Sequence, residues 1–244
     1  MRGPFSLIGT AVSYARTQKT LVGITVWLLI LPNVIVQMLS TMMEQRTNGT
    51  IDAIASPQQS TFALLAIVTM LGCSVVLLWG GACVILIGRK LVHSRAGRKR
   101  SSVRSVMGEA RTSIIPLILT SILRGCFTFL WSLLFIIPGV IYSIRTAFYS
   151  IVVVTEGTSY RAALRRSSEA VRGHTWKALW RLIAIYCALF LPVHLLSIVL
   201  HEVGEGGGIV FTLAANALTG ALTAPVTVLS IFATMAMYDE LKRP

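Results

Sequence analysis

The stretch FIIPGVIYSIRTAF, residues 135–148, sets a Pro-Gly pair and then a full charge, Arg145, into sequence that is otherwise apolar. It lies inside a longer apolar region, residues 114–155. As one helix that region would be about 63 Å long at ~1.5 Å per residue, twice the ~30 Å hydrocarbon core of a bilayer. The region must therefore break. Proline removes a helical N–H and disfavours helix at the residue before it, while glycine accepts turn geometry. Pro138 and Gly139 are accordingly expected at the tip of a helical hairpin that divides the region into spans 114–137 and 140–155.

Working outward, four further apolar stretches are long enough to cross a bilayer: residues 21–43, 62–88, 176–200 and 209–237. The chain is 55% hydrophobic and only 13% charged, where a soluble domain would carry roughly 25% charged residues. At 244 residues there is room for one integral membrane domain and no sizeable soluble one. The apolar run from Leu21 is too long for a cleaved signal, and no small-residue cleavage site closely follows it, so it reads as a retained first span. The expected fold class is all-α: a polytopic membrane bundle of six transmembrane helices in three hairpins, with short amphipathic cytoplasmic helices.

The net charge of +13 does not sit on a soluble basic domain, which argues against nucleic acid as a partner. It sits beside the spans. Residues 89–111 carry eight Lys/Arg against Glu109, and residues 157–181 carry six against Glu169. Residues 44–61 have one arginine and two acids, and residues 201–208 have two acids and no Lys or Arg. Basic loops stay cytoplasmic, so six spans place both termini in the cytoplasm. The expected location is a bacterial inner (plasma) membrane.

A short basic, part-amphipathic segment precedes each odd-numbered span: residues 5–19, 101–113 and 159–177. In the third, Tyr160, Ala163, Leu164, Ser167 and Val171 share one helical face, with Arg161, Arg165, Glu169 and Arg172 largely off it. Such a helix lies in the headgroup layer, packs on the bundle as a linker, or does both. On the first reading Arg95, Arg98, Lys99, Arg100, Arg104, Arg161, Arg165 and Arg172 are candidate contacts for anionic lipid.

Arg124 and Arg145 stand out as charges within spans, where an arginine costs about 2.5–3.5 kcal/mol on insertion scales. The chain's nine acidic residues fall in loops or at span ends, so carbonyls, water, lipid phosphate or an anionic ligand must satisfy these two, unless they snorkel to the interface. Both are candidate ligand or lipid-headgroup residues. Glu156 ends the fourth span close in sequence to Arg161 and Arg165, and reads as an acid anchoring the loop to the span. His194, His201, Glu202 and Glu205 gather beside a run of three glycines too loose for a metal geometry, so no metal is assigned. Ala217, Gly220, Ala221 and Ala224 give the last span small-residue spacing for close helix packing, with Asn216 and Pro225 inside it and Asn33 in the first span. The four cysteines lie in apolar segments without metal spacing and read as packing residues. No catalytic motif and no phosphate-binding glycine loop occurs, and no cofactor is implied.

The stretch LLFIIPGVIYSIRTAFYSIVVVTEGTSYRAALRRSSEAVRGHTWKAL, residues 133–179, orders an aliphatic span, Pro-Gly, a second span ending in Glu156, Ala-Leu, paired serines, Gly173 and Trp176. That order resembles a family of bacterial integral membrane proteins related to the membrane domain of glycerophosphoryl diester phosphodiesterase. The similarity covers roughly residues 114–182. In some members such a domain is joined to a soluble phosphodiesterase domain, which nothing in this chain matches. The resemblance implies a membrane location, a helical fold and no catalysis. The expected function is that of a non-enzymatic membrane protein that contacts anionic lipid, in envelope maintenance or as an accessory subunit. The alternative is a small transporter or channel for an anionic or amphipathic solute, with Arg124 and Arg145 along its path. A lipid-modifying enzyme would need a nucleophile or metal that the sequence does not present.

Overall fold

A computed structural model of the chain describes residues 19–47, 57–93, 103–204 and 208–242, with Ser6, Ile8, Gly9, Ala11 and Val12. No strand occurs among the described residues. Helix α1 runs on through Lys19–Ile24, a π-helical stretch Thr25–Ile30, and Leu31–Thr47. It is followed by α2 (Pro57–His93), α3 (Val103–Leu134), α4 (Ile136–Arg145), α5 (Tyr149–Glu156), α6 (Tyr160–Val171), α7 (Thr175–Gly204) and α8 (Gly208–Lys242). Among the described residues six segments are apolar and long enough to cross a membrane: Leu21–Glu44, Thr61–Lys90, Arg104–Leu134, Ile136–Glu156, Thr175–Glu202 and Gly208–Lys242.

The surface agrees with that reading. Leu64, Val68, Phe129, Leu133, Ile136 and Val210 are each more than 60% exposed. An apolar surface on this scale is stable against hydrocarbon and a liability in water. The molecule is an all-α polytopic bundle.

Consecutive spans pair as three hairpins: α1 with α2, α3 with α4, and α7 with α8. The bundle then closes on itself, because α8 returns to α1, α2 packs on α3, and α4 touches α7. Asn33 on α1 donates from Nδ2 to the Gly220 carbonyl at 3.1 Å and to the Thr223 hydroxyl on α8. Asn216 donates from Nδ2 to Thr41 Oγ1 at 2.7 Å. Between these links Gly220 lies so near the Val34 backbone that a Cβ would sit 3.3 Å from its Cα. Small residues and interhelical amides are how helices associate where apolar burial alone offers no preference for protein over lipid.

The central hairpin departs from the sequence expectation. Its break is at Phe135, in extended conformation (φ −158, ψ 138), while Pro138 and Gly139 lie inside the start of α4. The first N–H groups of a helix have no intrahelical acceptor, so the one Pro138 lacks is not missed there. Gly139 is needed for contact instead of turning: it is buried, and a Cβ would fall 2.9 Å from both Cα and N of Ser132 and collide with its Oγ.

Other boundaries move too. The fourth span is two helices, α4 and α5, parted at residues 146–148. Helix α3 starts at Val103, so the amphipathic segment expected over residues 101–113 is its first turns. The third such segment forms a separate short helix, α6. Of the first, residues 5–19, Ser6, Ile8, Gly9, Ala11, Val12 and Lys19 are described, all helical, and the others lie outside the described residues.

Candidate functional site

The break between α4 and α5 disturbs the helical ladder. Ala147 N–H donates to the Ile144 carbonyl at 3.1 Å, and Tyr149 N–H to the Thr146 carbonyl at 3.3 Å. In a continuous helix their acceptors would be the carbonyls of Ser143 and Arg145. Those two oxygens are thereby released, and an unsatisfied backbone group at membrane depth costs several kcal/mol.

Both are recovered by side chains from other helices. Arg124 of α3 donates from Nη2 to the Ser143 carbonyl at 3.1 Å and to Ser143 Oγ at 3.3 Å. Its Nε donates to Thr146 Oγ1 at 3.0 Å, and its guanidinium lies 5.1 Å from the Tyr149 ring centre. A cation at a helix C-terminus is also favoured by the helix dipole. From the other side, Ser167 of α6 donates to the Arg145 carbonyl at 2.9 Å and accepts the Phe148 N–H at 3.2 Å. Thr146, Phe148 and Ser167 are buried.

The two arginines read together in the sequence thus part company. The charge of Arg124 is held by α4's last turn. Arg145 contributes a backbone carbonyl to the break, and its side chain is exposed.

Helix α6 packs on α3, α4, α5 and α8 through Ala163, Leu164, Ser167 and Val171, all buried, while Tyr160 is exposed. The packing on the bundle expected of such a helix is present, with Arg161, Arg165 and Arg172 exposed around it. Its first residue, Tyr160, has φ 57, which a bulky side chain rarely adopts. The Tyr160 N–H donates to the buried Thr120 hydroxyl at 2.9 Å, which in turn donates to the Pro116 carbonyl at 2.6 Å.

Two clefts flank α6. The larger, about 780 Å³, is lined by Glu156, Arg166, Glu169, Arg172, Glu240 and Lys242, among others. In it Glu156 accepts from Tyr238 Oη at 2.9 Å, Lys242 Nζ at 2.5 Å and Arg166 Nη1 at 2.5 Å. These are its partners in place of the expected Arg161 and Arg165. The carboxylate in turn raises Arg166 above the ordinary guanidinium range. The smaller cleft, about 460 Å³, lies on the opposite side of α6 and is lined by Phe127, Tyr142, Thr146, Arg161, Leu164, Arg165 and Ser168. The Arg161 guanidinium is 5.7 Å from the Phe127 ring centre.

The remaining candidates are scattered. Arg104 is exposed at the start of α3, and Arg95, Arg98, Lys99 and Arg100 lie outside the described residues. His194, His201 and Glu202 are exposed along α7, and Glu205 is outside the described residues. Among the described residues no three His, Cys, Asp or Glu side chains gather to hold a metal. Cys83 is buried as expected, whereas Cys126 and Cys187 are exposed on the apolar surface. The sequence places Ser167 on the apolar face of its helix without showing its role, and singles out neither Thr120 nor Tyr238.

Compared with protein-family models, curated proteins and solved structures, the chain finds no match. The resemblance over residues 114–182 therefore rests on the order of residues there.

Proposed function

We propose that this is a non-enzymatic integral membrane protein that gathers anionic lipid around one basic end. Its location on this reading is the inner membrane, with that end and both termini cytoplasmic. Its role on this reading is in envelope maintenance or as an accessory subunit.

The observation that carries the reading is the placement of exposed Arg161 and Arg165 on α6 and Arg172 at its end, with Arg161 against Phe127 of α3, whose next turns expose Leu130 and Leu134. Cations at the edge of such an apolar surface meet headgroups, and each is worth about 1 kcal/mol toward an anionic surface. The transport alternative has less support, since Arg124 is held by Ser143 and Thr146 within the bundle.

The test is lipid selectivity. Protein in nanodiscs of equal phosphatidylglycerol and phosphatidylcholine, with identical chains, is expected to retain the anionic lipid preferentially on release into native mass spectrometry. Equal retention of the two would refute the reading.

A further inference from the structure

We infer that the smaller cleft beside α6 is a site for the phosphate headgroup of an anionic phospholipid, bound between Arg161 and Arg165 with its acyl chains along α3. The inference rests on the proposed lipid function and narrows it to one place.

The two clefts flanking α6 differ in charge balance. The larger one sets Arg166, Arg172 and Lys242 against Glu156, Glu169 and Glu240, so its positive charge is neutralised from within. The smaller one is lined by Arg161 and Arg165 and by no carboxylate. At its rim Arg165 Nε is 3.5 Å from Glu169 Oε1, a pair with side chains 79% and 59% exposed. Such an exposed i,i+4 pair is weak and exchanges readily for a better anion.

The stereochemistry suits a phosphate. Arg161, Leu164, Arg165 and Ser168 fall at i, i+3, i+4 and i+7, so one stripe of α6 presents two guanidinium forks and a hydroxyl to the same opening. Guanidinium forks match phosphate oxygens in a bidentate manner that a single ammonium cannot. Tyr142 and Thr146 also line the cleft. Thr146 is already engaged, accepting from Arg124 and donating to the Tyr142 carbonyl at 2.8 Å.

The apolar side of the cleft selects a lipid over free phosphate. Phe127 and Tyr142 form a ring pair 6.1 Å apart. One turn beyond Phe127 on α3, Leu130 is 59% exposed, and Leu134, a further turn on, is 66% exposed. This leaves an open apolar track leading away from the phosphate position. Free phosphate has no use for such a track, whereas an acyl chain does.

The experiment compares variants in the same mixed nanodiscs, with thermal unfolding recorded for each. R161Q/R165Q is expected to lower phosphatidylglycerol retention about 30-fold, the effect of two surface charges. R104Q/R172Q removes the same charge from the surrounding surface and is expected to lower retention less than R161Q/R165Q does, because those two cations do not line the cleft. S168F keeps every charge and fills the cleft, so it is expected to lose retention as R161Q/R165Q does, while R161K/R165K keeps part of it. S168F thus tests the site even if R161Q/R165Q fails to fold. Full retention by S168F overturns the site. Equal losses in R161Q/R165Q and R104Q/R172Q also overturn it, while leaving a diffuse lipid-binding surface intact. Absence of anionic preference in wild type overturns both readings. Displacement of the bound species by inorganic phosphate alone would reassign the site to a soluble anion and overturn the lipid assignment.

Discussion

The Ser167 hydroxyl donates to the Arg145 carbonyl at 2.9 Å while accepting the Phe148 N–H at 3.2 Å, so one buried serine satisfies both sides of a broken helix. Ser167→Ala would leave a buried donor and a buried acceptor unpaired together. Each such group costs about 1–3 kcal/mol. The variant is expected to lose about 2 kcal/mol of stability in a detergent denaturation series. Ser168→Ala, at the neighbouring position on the cleft side, is expected to change stability by less than about 0.5 kcal/mol. Equal effects of the two would show that the break is not held by Ser167.

Arg124 and Arg145 are both arginines in the central hairpin, yet the geometry separates them. Arg124→Leu removes the donors to Ser143 and Thr146 and is expected to cost about 3 kcal/mol, as for lost hydrogen bonds from a charged group. Arg145→Leu removes an exposed side chain and is expected to stay within about 0.5 kcal/mol of wild type. Unfolding midpoints in one detergent, read by loss of helical circular dichroism, decide between them. A larger loss from Arg145→Leu would reverse the assignment.

The six spans were legible because bilayer thickness sets a length that apolar runs such as residues 21–43 must meet. The buried face of α6 was legible because Ala163, Leu164, Ser167 and Val171 repeat at helical spacing. The breaks were not. A helix can be interrupted at residues 146–148 only because Arg124 and Ser167 arrive from elsewhere, about twenty residues away on either side. Local signals pointed to Pro138 instead, where proline happens to suit a helix start. Likewise the partners of Glu156 depend on which side of α6 faces α8. Arg166 lies on that side, while Arg161 and Arg165 face the other cleft.

Gly139 and Gly125 make a paired test of the central hairpin. At Gly139 any side chain meets the Ser132 backbone at 2.9 Å, so α3 and α4 would have to separate. Gly139→Val is expected to cost about 1–3 kcal/mol, the usual range for forced overpacking. Gly125 lies mid-helix in α3, and a Cβ added there would have no neighbour within 4 Å. Gly125→Ala is therefore expected to be neutral or to stabilise by up to about 1 kcal/mol, through helix propensity alone. The comparison is a pair of denaturation curves, and a destabilising Gly125→Ala would contradict the open surface of α3.

Glu156 is held by three donors of unequal worth. Lys242 and Arg166 are more than half exposed, at 57% and 53%, so solvent screens their attraction. Tyr238 is only 4% exposed, and its ring also lies 5.6 Å from that of buried Phe148. Its hydroxyl has little solvent to turn to if Glu156 is lost. A double-mutant cycle on Glu156→Gln and Tyr238→Phe is expected to give a coupling of about 1 kcal/mol. The cycle on Glu156→Gln and Lys242→Gln is expected to give less than about 0.5 kcal/mol, and to fall further as salt is raised. If the lysine coupling were the larger, the end of the fourth span would be fixed by surface charge, and its stability would track ionic strength. If the tyrosine coupling is the larger, it is fixed by a buried hydrogen bond that salt leaves alone.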